Sequence, residues 1–185
     1  MNRPSDYRLT VPEGWVRVDL QPGFREPALA RLVDRQFRGV TNAAHLKRQA
    51  RDQFLRMARY AYGNGGLELY VSLQTAGGLP LPAALVVTLT PPPDEETLRV
   101  TPDRLARALA DDGEDDGGRV TLTRLPAGPA VRVRRGTAAT ALDVHVAVPE
   151  SGAYLVLSFS TPLDALADAM IGLFDSIAST LRWIP

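Results

Sequence analysis

Histidines are the first side chains to weigh for catalysis, and this chain has two, His45 and His145. Neither has a nucleophile or a second metal ligand close by in the sequence. The chain has no cysteine, which excludes disulfides, thiol catalysis and cysteine-bound metals. His145 follows Val144 on the polar side of an alternating strand, so a surface or internally hydrogen-bonded histidine is the simpler interpretation.

The serines and the glycine-rich stretch also lack the neighbours that catalysis needs. The stretch 63–66 is not followed by the Lys-Ser/Thr of a phosphate-binding loop and is typical of a helix end. Four serines near the C-terminus lie outside any Gly-x-Ser-x-Gly turn, the pattern that exposes a hydrolase nucleophile; they are Ser158, Ser160, Ser176 and Ser179. We therefore predict a protein that is not an enzyme and has no catalytic residues, cofactor or metal.

The nearest approach to a metal site is the acidic run 111–116. Counted from Asp112, an EF-hand register places Thr123 at position twelve, where the bidentate glutamate belongs. Charge runs are usually solvated, so we interpret the run as an exposed loop. Whether this loop, 111–116, binds a cation stays open.

Two arginines on one strand are the best candidates for contacting a partner. Arg132 and Arg134 point the same way on an alternating strand and would form a basic patch on the outer face of the sheet. The alternative is an ordinary wet sheet face, or a face paired with Asp143 across a hairpin. With His145 and Tyr154, these arginines make up the predicted partner-binding residues.

Composition describes an ordinary globular chain. It has 185 residues, 45% of them hydrophobic, and 21 basic residues balance 21 acidic ones. This length fits one domain spanning 1–185. Zero net charge argues against nucleic acid as a partner, since such binders carry a basic excess. The chain has no apolar run long enough to insert into a membrane and no signal-like start, so we expect a cytoplasmic protein.

Periodicity in the first half indicates strands, then helices, then strands. Residues 7–11 and 15–20 alternate around turn residues and predict a hairpin. Helical spacing follows over 27–38 and 42–62, although the topology of this 27–62 segment stays open. Two further strands are predicted at 67–73 and 83–90.

The second half predicts an antiparallel meander closed by a helix. Thr101 and Pro102 begin a short helix, and four strands follow at 119–125, 130–135, 142–148 and 154–160. Thr161 and Pro162 then suit the cap and first position of a long amphipathic helix. Its apolar stripe is Leu163, Leu166, Met170, Phe174, Ile177 and Leu181. The fold class is therefore α+β, an antiparallel sheet packed by helices.

This order of elements resembles a known superfamily. The chain begins with a strand followed by Pro12-Glu13-Gly14-Trp15, and it ends with a strand, a long helix and the sequence 177–183 (Ile-Ala-Ser-Thr-Leu-Arg-Trp). Both ends are similar to the PsbP/DcrB-like superfamily, in particular to small actinobacterial proteins of unassigned function. The resemblance implies an α/β/α sandwich.

The resemblance also implies binding rather than catalysis. Members of that superfamily are photosystem accessory proteins, a Ran-binding factor, lipoproteins and chaperones of secreted effectors, and no family catalytic residues exist to carry over. Our first hypothesis is accordingly a non-enzymatic adaptor or chaperone-like accessory protein that binds a protein partner and is linked to a secretion or multi-protein system. Its oligomeric state would be a monomer or a homodimer.

Two alternatives come from other functional classes. A small-ligand-binding protein or cryptic enzyme would need a closed pocket with converging polar groups, for which Arg132, His145 and Tyr154 are the first candidates. A self-assembling structural subunit would instead pair an edge strand, either 7–11 or 83–90, with a second copy.

Overall fold

The computed structural model describes residues 4–37, 44–76, 79–91, 100–112, 118–136 and 140–185. Its helices are α1 (Pro22–Gln36), α2 (Ala44–Gly63), α3 (Pro102–Asp112) and α4 (Ala167–Ser179). A 3-10 turn over Asp164–Leu166 precedes α4. None of the described helices is both long and apolar enough to cross a membrane.

Seven of the strands form one antiparallel sheet, ordered β2-β3-β6-β10-β9-β8-β7. The strands, in chain order, are β1 (Asp6–Arg8), β2 (Trp15–Val18), β3 (Gly66–Ser72), β4 (Thr75–Ala76), β5 (Leu79–Pro80), β6 (Ala84–Thr90), β7 (Arg119–Leu125), β8 (Gly128–Gly136), β9 (Thr140–Ala147), β10 (Tyr154–Thr161) and β11 (Arg182–Ile184). The predicted meander is confirmed, since β7, β8, β9 and β10 are successive neighbours.

The central position of β10 explains why its sequence is apolar on both sides. It pairs with β6 on one edge and β9 on the other, and burial of successive side chains shows that both of its faces are covered. Leu155, Leu157 and Phe159 lie under α4, while Tyr154 and Val156 are buried on the other side of the sheet.

Helices cover both faces, which gives the α/β/α sandwich that the resemblance implies. On the first face, called the α4 face, the Phe174 ring stacks on Phe159 with centroids 4.9 Å apart. On the second, called the opposite face, α1 and α2 pack on β2 and β3 around Leu29 and Leu69. Helix α3 packs on β7 and β8 at the far end of that opposite face.

The predicted N-terminal hairpin is wrong. β1 pairs with the C-terminal β11, Tyr7 lying opposite Trp183, whereas β2 pairs with β3. Alternation predicts a strand but carries no information on which strand it pairs with. The turn residues 12–14 favoured pairing with the next strand in the sequence. The β1–β11 ribbon packs against the α4 face instead.

Three further predictions need correction. Helix α1 begins at Pro22 rather than near Pro27, because proline is tolerated in the first turn of a helix. Pro27 lies further along the same helix. Helix α4 begins at Ala167, and Thr161 caps the preceding turn by accepting a hydrogen bond from the Leu163 amide at 3.2 Å. The strand at 83–90 is not a sheet edge, since β6 pairs on both sides.

Candidate binding surfaces

The two candidate arginines lie on the α4 face, where aspartates of α4 hold them. Arg132 donates through Nε and Nη2 to the two Asp175 carboxylate oxygens at 2.8 and 2.9 Å. Arg134 donates to Asp168 at 2.7 Å. The next residue, Arg135, points the other way and pairs with Asp143. These contacts make Arg132 and Arg134 part of the sheet-to-helix packing.

His145 lies on the opposite face of the sheet. Its neighbours Val144 and Val146 pack under α4, so alternation places the imidazole on the other side, opposite Val156. Nε2 is buried and has no hydrogen-bond partner among the described residues. Burial lowers the pKa of His145, an effect that the Asp143 carboxylate opposes and the Arg135 guanidinium reinforces. The ring is therefore neutral at neutral pH.

Tyr154 shares that face and fastens the start of α3 to the sheet. Its hydroxyl donates to the Val100 carbonyl at 2.6 Å, two residues before α3 begins. Burial raises the pKa of Tyr154, and the Asp103 carboxylate adds to the effect. The structure thus brings His145 and Tyr154 to one face and Arg132 and Arg134 to the other, so the four do not form one patch.

No catalytic triad results from this arrangement in the described residues. Ser158 lies opposite Asp143 on neighbouring strands, with His145 two residues further along. The Asp143 carboxylate is engaged by Arg135, so it does not orient the imidazole. The side chains needed for acyl transfer are near one another without the required connections.

A concave apolar surface lies elsewhere, between the β1–β11 ribbon and the end of the sheet. We call it the end cavity, and its volume is about 230 Å³. Leu67 and Leu89 line it and remain 47% and 43% exposed. The other lining residues are Pro4, Ser5, Asp6, Tyr7, Val148, Ser151, Ala153, Leu155 and Trp183. Exposed leucines that line one concavity distinguish this place from scattered surface leucines.

Hydrogen bonds hold the walls of the end cavity in place. The Trp183 indole Nε1 donates to the Ala127 carbonyl at 2.8 Å. Across the cavity, the turn between β9 and β10 closes through the Val148 amide, which donates to the Ala153 carbonyl at 2.9 Å. The Ser151 hydroxyl accepts from the Ala153 amide in the same turn. A binding surface with fixed walls loses little conformational entropy when it is filled.

A polar cluster lies beside the cavity. The Tyr70 hydroxyl donates to Glu68 at 2.8 Å, and Arg17 pairs with the same carboxylate. Burial raises the pKa of Tyr7 and of Tyr70, and Glu68 adds to both shifts. Because both phenols stay protonated, this cluster supplies hydrogen bonds and support rather than a base.

A second concavity of about 330 Å³ lies at the other end of the sheet. Its lining residues are Arg35, Ser72, Leu73, Gln74, Thr75, Leu81 and Pro82. Gln74 is already engaged, since it accepts from the Trp15 indole and donates to the Glu13 carbonyl. The volume is at the low end for a small-molecule site, and the Gln74 amide is committed to hydrogen bonds within the fold.

The described residues hold no group of three or more histidine, aspartate or glutamate side chains placed to bind a metal ion. The acidic loop predicted at 111–116 falls mostly outside the described residues, which include its first two positions at the end of α3.

The sequence alone missed the end cavity. Leu67 and Leu89 lie within the strands predicted at 67–73 and 83–90, and a strand pattern does not show which of its leucines stay exposed. A β-bulge between Gly66 and Glu68 shifts the register at Leu67, and the sequence pattern did not predict this bulge. The opposing wall comes from β1 and β11, whose pairing across the whole chain was not predicted.

Comparison with known proteins rests on structure, because no protein-family model and no curated protein sequence matches the chain. The crystal structure of LpqN of Mycobacterium tuberculosis, described as involved in cell envelope biogenesis, is similar with a TM-score of 0.50 and 14% identity, covering 97% of this chain and 83% of that one. The fold is PsbP-like.

Two other solved structures resemble this PsbP-like chain. One is the solution structure of cyanobacterial PsbP (CyanoP) from Synechocystis sp. PCC 6803, with 18% identity, coverage of 98% and 91%, and a TM-score of 0.42. The other is the Saccharomyces cerevisiae Ran-binding protein Mog1p, with 12% identity, coverage of 95% and 89%, and a TM-score of 0.46. At these identities the likeness concerns the PsbP-like fold, and function must be argued from this chain's own surfaces.

Proposed function

We propose that this protein is a non-enzymatic accessory protein that binds a protein partner by accepting one of the partner's large apolar side chains in the end cavity. The observation that carries the proposal is the pair of exposed leucines, Leu67 and Leu89, lining a preformed apolar concavity. An adaptor role, which the sequence favoured, is the finer form of the same proposal.

The size of the end cavity favours a side chain over a free ligand. Its volume of about 230 Å³ is below the ~300–1,000 Å³ of typical small-molecule pockets. A buried aromatic or aliphatic anchor is the usual centre of a protein interface, and burying one contributes roughly 1.5–3 kcal/mol. The cavity therefore suits the anchor of a larger interface.

The surroundings supply the rest of such an interface. The exposed Asp6 lines the cavity, and Glu68, which pairs with Arg17, follows the lining residue Leu67 in the chain, so polar groups border an apolar centre. This arrangement matches the anatomy of protein interfaces, in which the rim excludes water from the anchor.

Site-specific photocrosslinking in the source cell tests the proposal. A benzophenone amino acid replaces Leu89, and in a matched chain it replaces Leu166, which is 44% exposed but lies outside the cavity. We expect a discrete adduct from position 89 that position 166 does not give, and mass spectrometry identifies the partner. Equal labelling from both positions, or no adduct from position 89, would contradict the proposal.

A further inference from the structure

Strand β7 forms an open edge of the seven-stranded sheet. Within the described residues it pairs with β8 alone, and its seven residues, Arg119–Leu125, include neither proline nor glycine. The other edge, β2, has four residues and lies between Pro12 and Pro22. Natural sheets guard their edges by shortness, proline, bulges, charged side chains or a covering helix; β7 is long and proline-free, and its charges, Arg119 and Arg124, lie toward its ends.

The centre of β7 carries an exposed apolar side chain. Leu122 is 53% exposed, although α3 packs on the same end of the sheet. It lies opposite Val131 of β8 and therefore faces the same way as His145. Helix α3 thus leaves room above the outer half of β7, where another side chain could pack on Leu122.

The centre of β7 is symmetric, because Thr121 and Thr123 flank Leu122. In an antiparallel pairing with a second copy centred there, Leu122 meets Leu122 and Thr121 meets Thr123 of the other copy. Thr–Thr and apolar pairs are favourable cross-strand neighbours. The two residues of each facing pair share a sheet face, because their positions differ by an even number of residues.

The arginines of β7 tolerate this register. Arg119 would lie opposite Leu125, and Arg124 opposite Val120, so no arginine faces another directly. The two Arg124 side chains would be four residues apart along the strands, roughly 13 Å at ~3.3 Å per residue. At physiological salt that separation exceeds the Debye length of about 8 Å, so their repulsion is largely screened.

We propose that β7 pairs with β7 of a second copy of this chain in the antiparallel register centred on Leu122, joining two seven-stranded sheets into one. The pairing satisfies backbone groups of β7 that have no strand partner among the described residues, and it covers both Leu122 side chains. Because a single strand pair buries less than a standard interface, the dimer dissociates on dilution. The proposal is independent of the end cavity.

Cysteine crosslinking tests both the pairing and its register, because the native chain has no cysteine. Directly opposite strand positions fall within disulfide reach. We expect Leu122→Cys to form a disulfide-linked dimer under mild oxidation. We expect a mixture of Thr121→Cys and Thr123→Cys chains to form the mixed dimer in preference to either self-dimer.

Leu166→Cys is the matched control, an exposed leucine outside the sheet. Crosslinking of Leu122→Cys no faster than this control would overturn the proposal. Self-dimers of Thr121→Cys that form as readily as the mixed dimer would overturn the register.

Sedimentation of the native chain gives a second readout that needs no crosslink. A monomer–dimer equilibrium should appear as concentration rises, and Leu122→Arg should shift it at least tenfold toward monomer with the melting temperature unchanged. A native chain that stays monomeric would refute pairing between copies. The same conclusion holds if an added acidic peptide, and not a second copy, protects the β7 amides from hydrogen exchange.

Discussion

Two arginines that lie two residues apart form the same kind of ion pair, and the strength of each pair depends on its surroundings. Arg132 is mostly buried and makes a bidentate contact with Asp175, whereas Arg134 reaches the almost fully exposed Asp168 through one hydrogen bond. Partial burial and the paired geometry strengthen the first contact, while solvent screens the second.

A double-mutant cycle measures that difference. Using Arg132→Ala with Asp175→Ala, we expect a coupling energy of about 1–2 kcal/mol in urea unfolding. The matched cycle of Arg134 and Asp168 should give less than about 0.5 kcal/mol. Equal couplings would show that the two pairs are equally screened and would contradict the structure.

His145 makes folding stability depend on pH. Its folded-state pKa is lowered by burial, so at acidic pH the unfolded chain binds a proton that the folded chain resists. Stability is unaffected well above the ordinary histidine pKa of about 6.5 and falls as pH drops below it.

The lowered pKa of His145 predicts a loss of stability at acidic pH. Between pH 7 and pH 5, the native chain should lose stability that His145→Gln does not lose, measured by urea unfolding at each pH. His45→Gln provides the control, since His45 is exposed on α2. A native chain whose pH profile coincides with that of His145→Gln would exclude burial of a neutral imidazole.

At the scale of elements, α4 is anchored by its middle and end rather than by its start. Met170, Phe174 and Ile177 are buried as the stripe predicted, but Leu166 is exposed in the turn before the helix. Phe174→Ala should cost roughly 3–5 kcal/mol of unfolding free energy because it opens a cavity against Phe159.

Leu166→Ala is the companion to that experiment and should change stability by no more than about 0.5 kcal/mol. Thermal and urea unfolding measure both variants. A loss at Leu166 comparable with that at Phe174 would mean that the predicted six-residue stripe packs as one unit after all.

The connection from α2 to β3 depends on one glycine. A Cβ on Gly66 would lie 2.6 Å from the Ala61 carbonyl oxygen, closer than real contacts allow. Gly66→Ala should therefore destabilise the chain by more than about 1 kcal/mol. Gly63→Ala, with open space at the end of α2, should stabilise it by about 0.5–1 kcal/mol. The opposite order would contradict the described packing.

Sequence patterns predicted the positions of helices and strands far better than they predicted which strands pair with each other. The strict alternation of 142–148 and the double-sided apolar run of 154–160 identified β9 and the central β10, because burial selects side chains directly. The pairing of Tyr7 with Trp183 joins opposite ends of the chain, and no local signal encodes it. The end cavity depends on that ribbon and on a bulge, so it became visible only in three dimensions.

The internal contacts of the four predicted partner-binding residues could not be predicted for a related reason. Arg132, Arg134, His145 and Tyr154 were selected as polar groups on apolar strands. In the fold the two arginines contact α4 and Tyr154 contacts the segment before α3, whereas the buried His145 Nε2 has no hydrogen-bond partner among the described residues. Leucines that stay exposed are the stronger indication of a surface, but a sequence does not reveal which leucines those are.

At the scale of the whole molecule, the PsbP-like fold presents two surfaces that should act independently. Leu89 on β6 and Leu122 on β7 lie four strands apart, roughly 19 Å at ~4.8 Å per strand. Leu122→Arg should weaken self-association at least tenfold without changing partner affinity, and Leu89→Ser should weaken partner binding at least tenfold without changing self-association. Sedimentation and calorimetry separate the two effects; a variant that alters both would indicate one shared interface.

The affinity of the crosslinked partner for variants of the end cavity tests the central claim most directly. In isothermal titration calorimetry, Leu67→Ser and Leu89→Ser should each weaken binding at least tenfold, about 1.4 kcal/mol, while Leu166→Ser binds as the native chain does. All three leucines are partly exposed, so each variant should keep its fold, which circular dichroism verifies. Unchanged affinity in the two cavity variants would show that the partner does not use the end cavity.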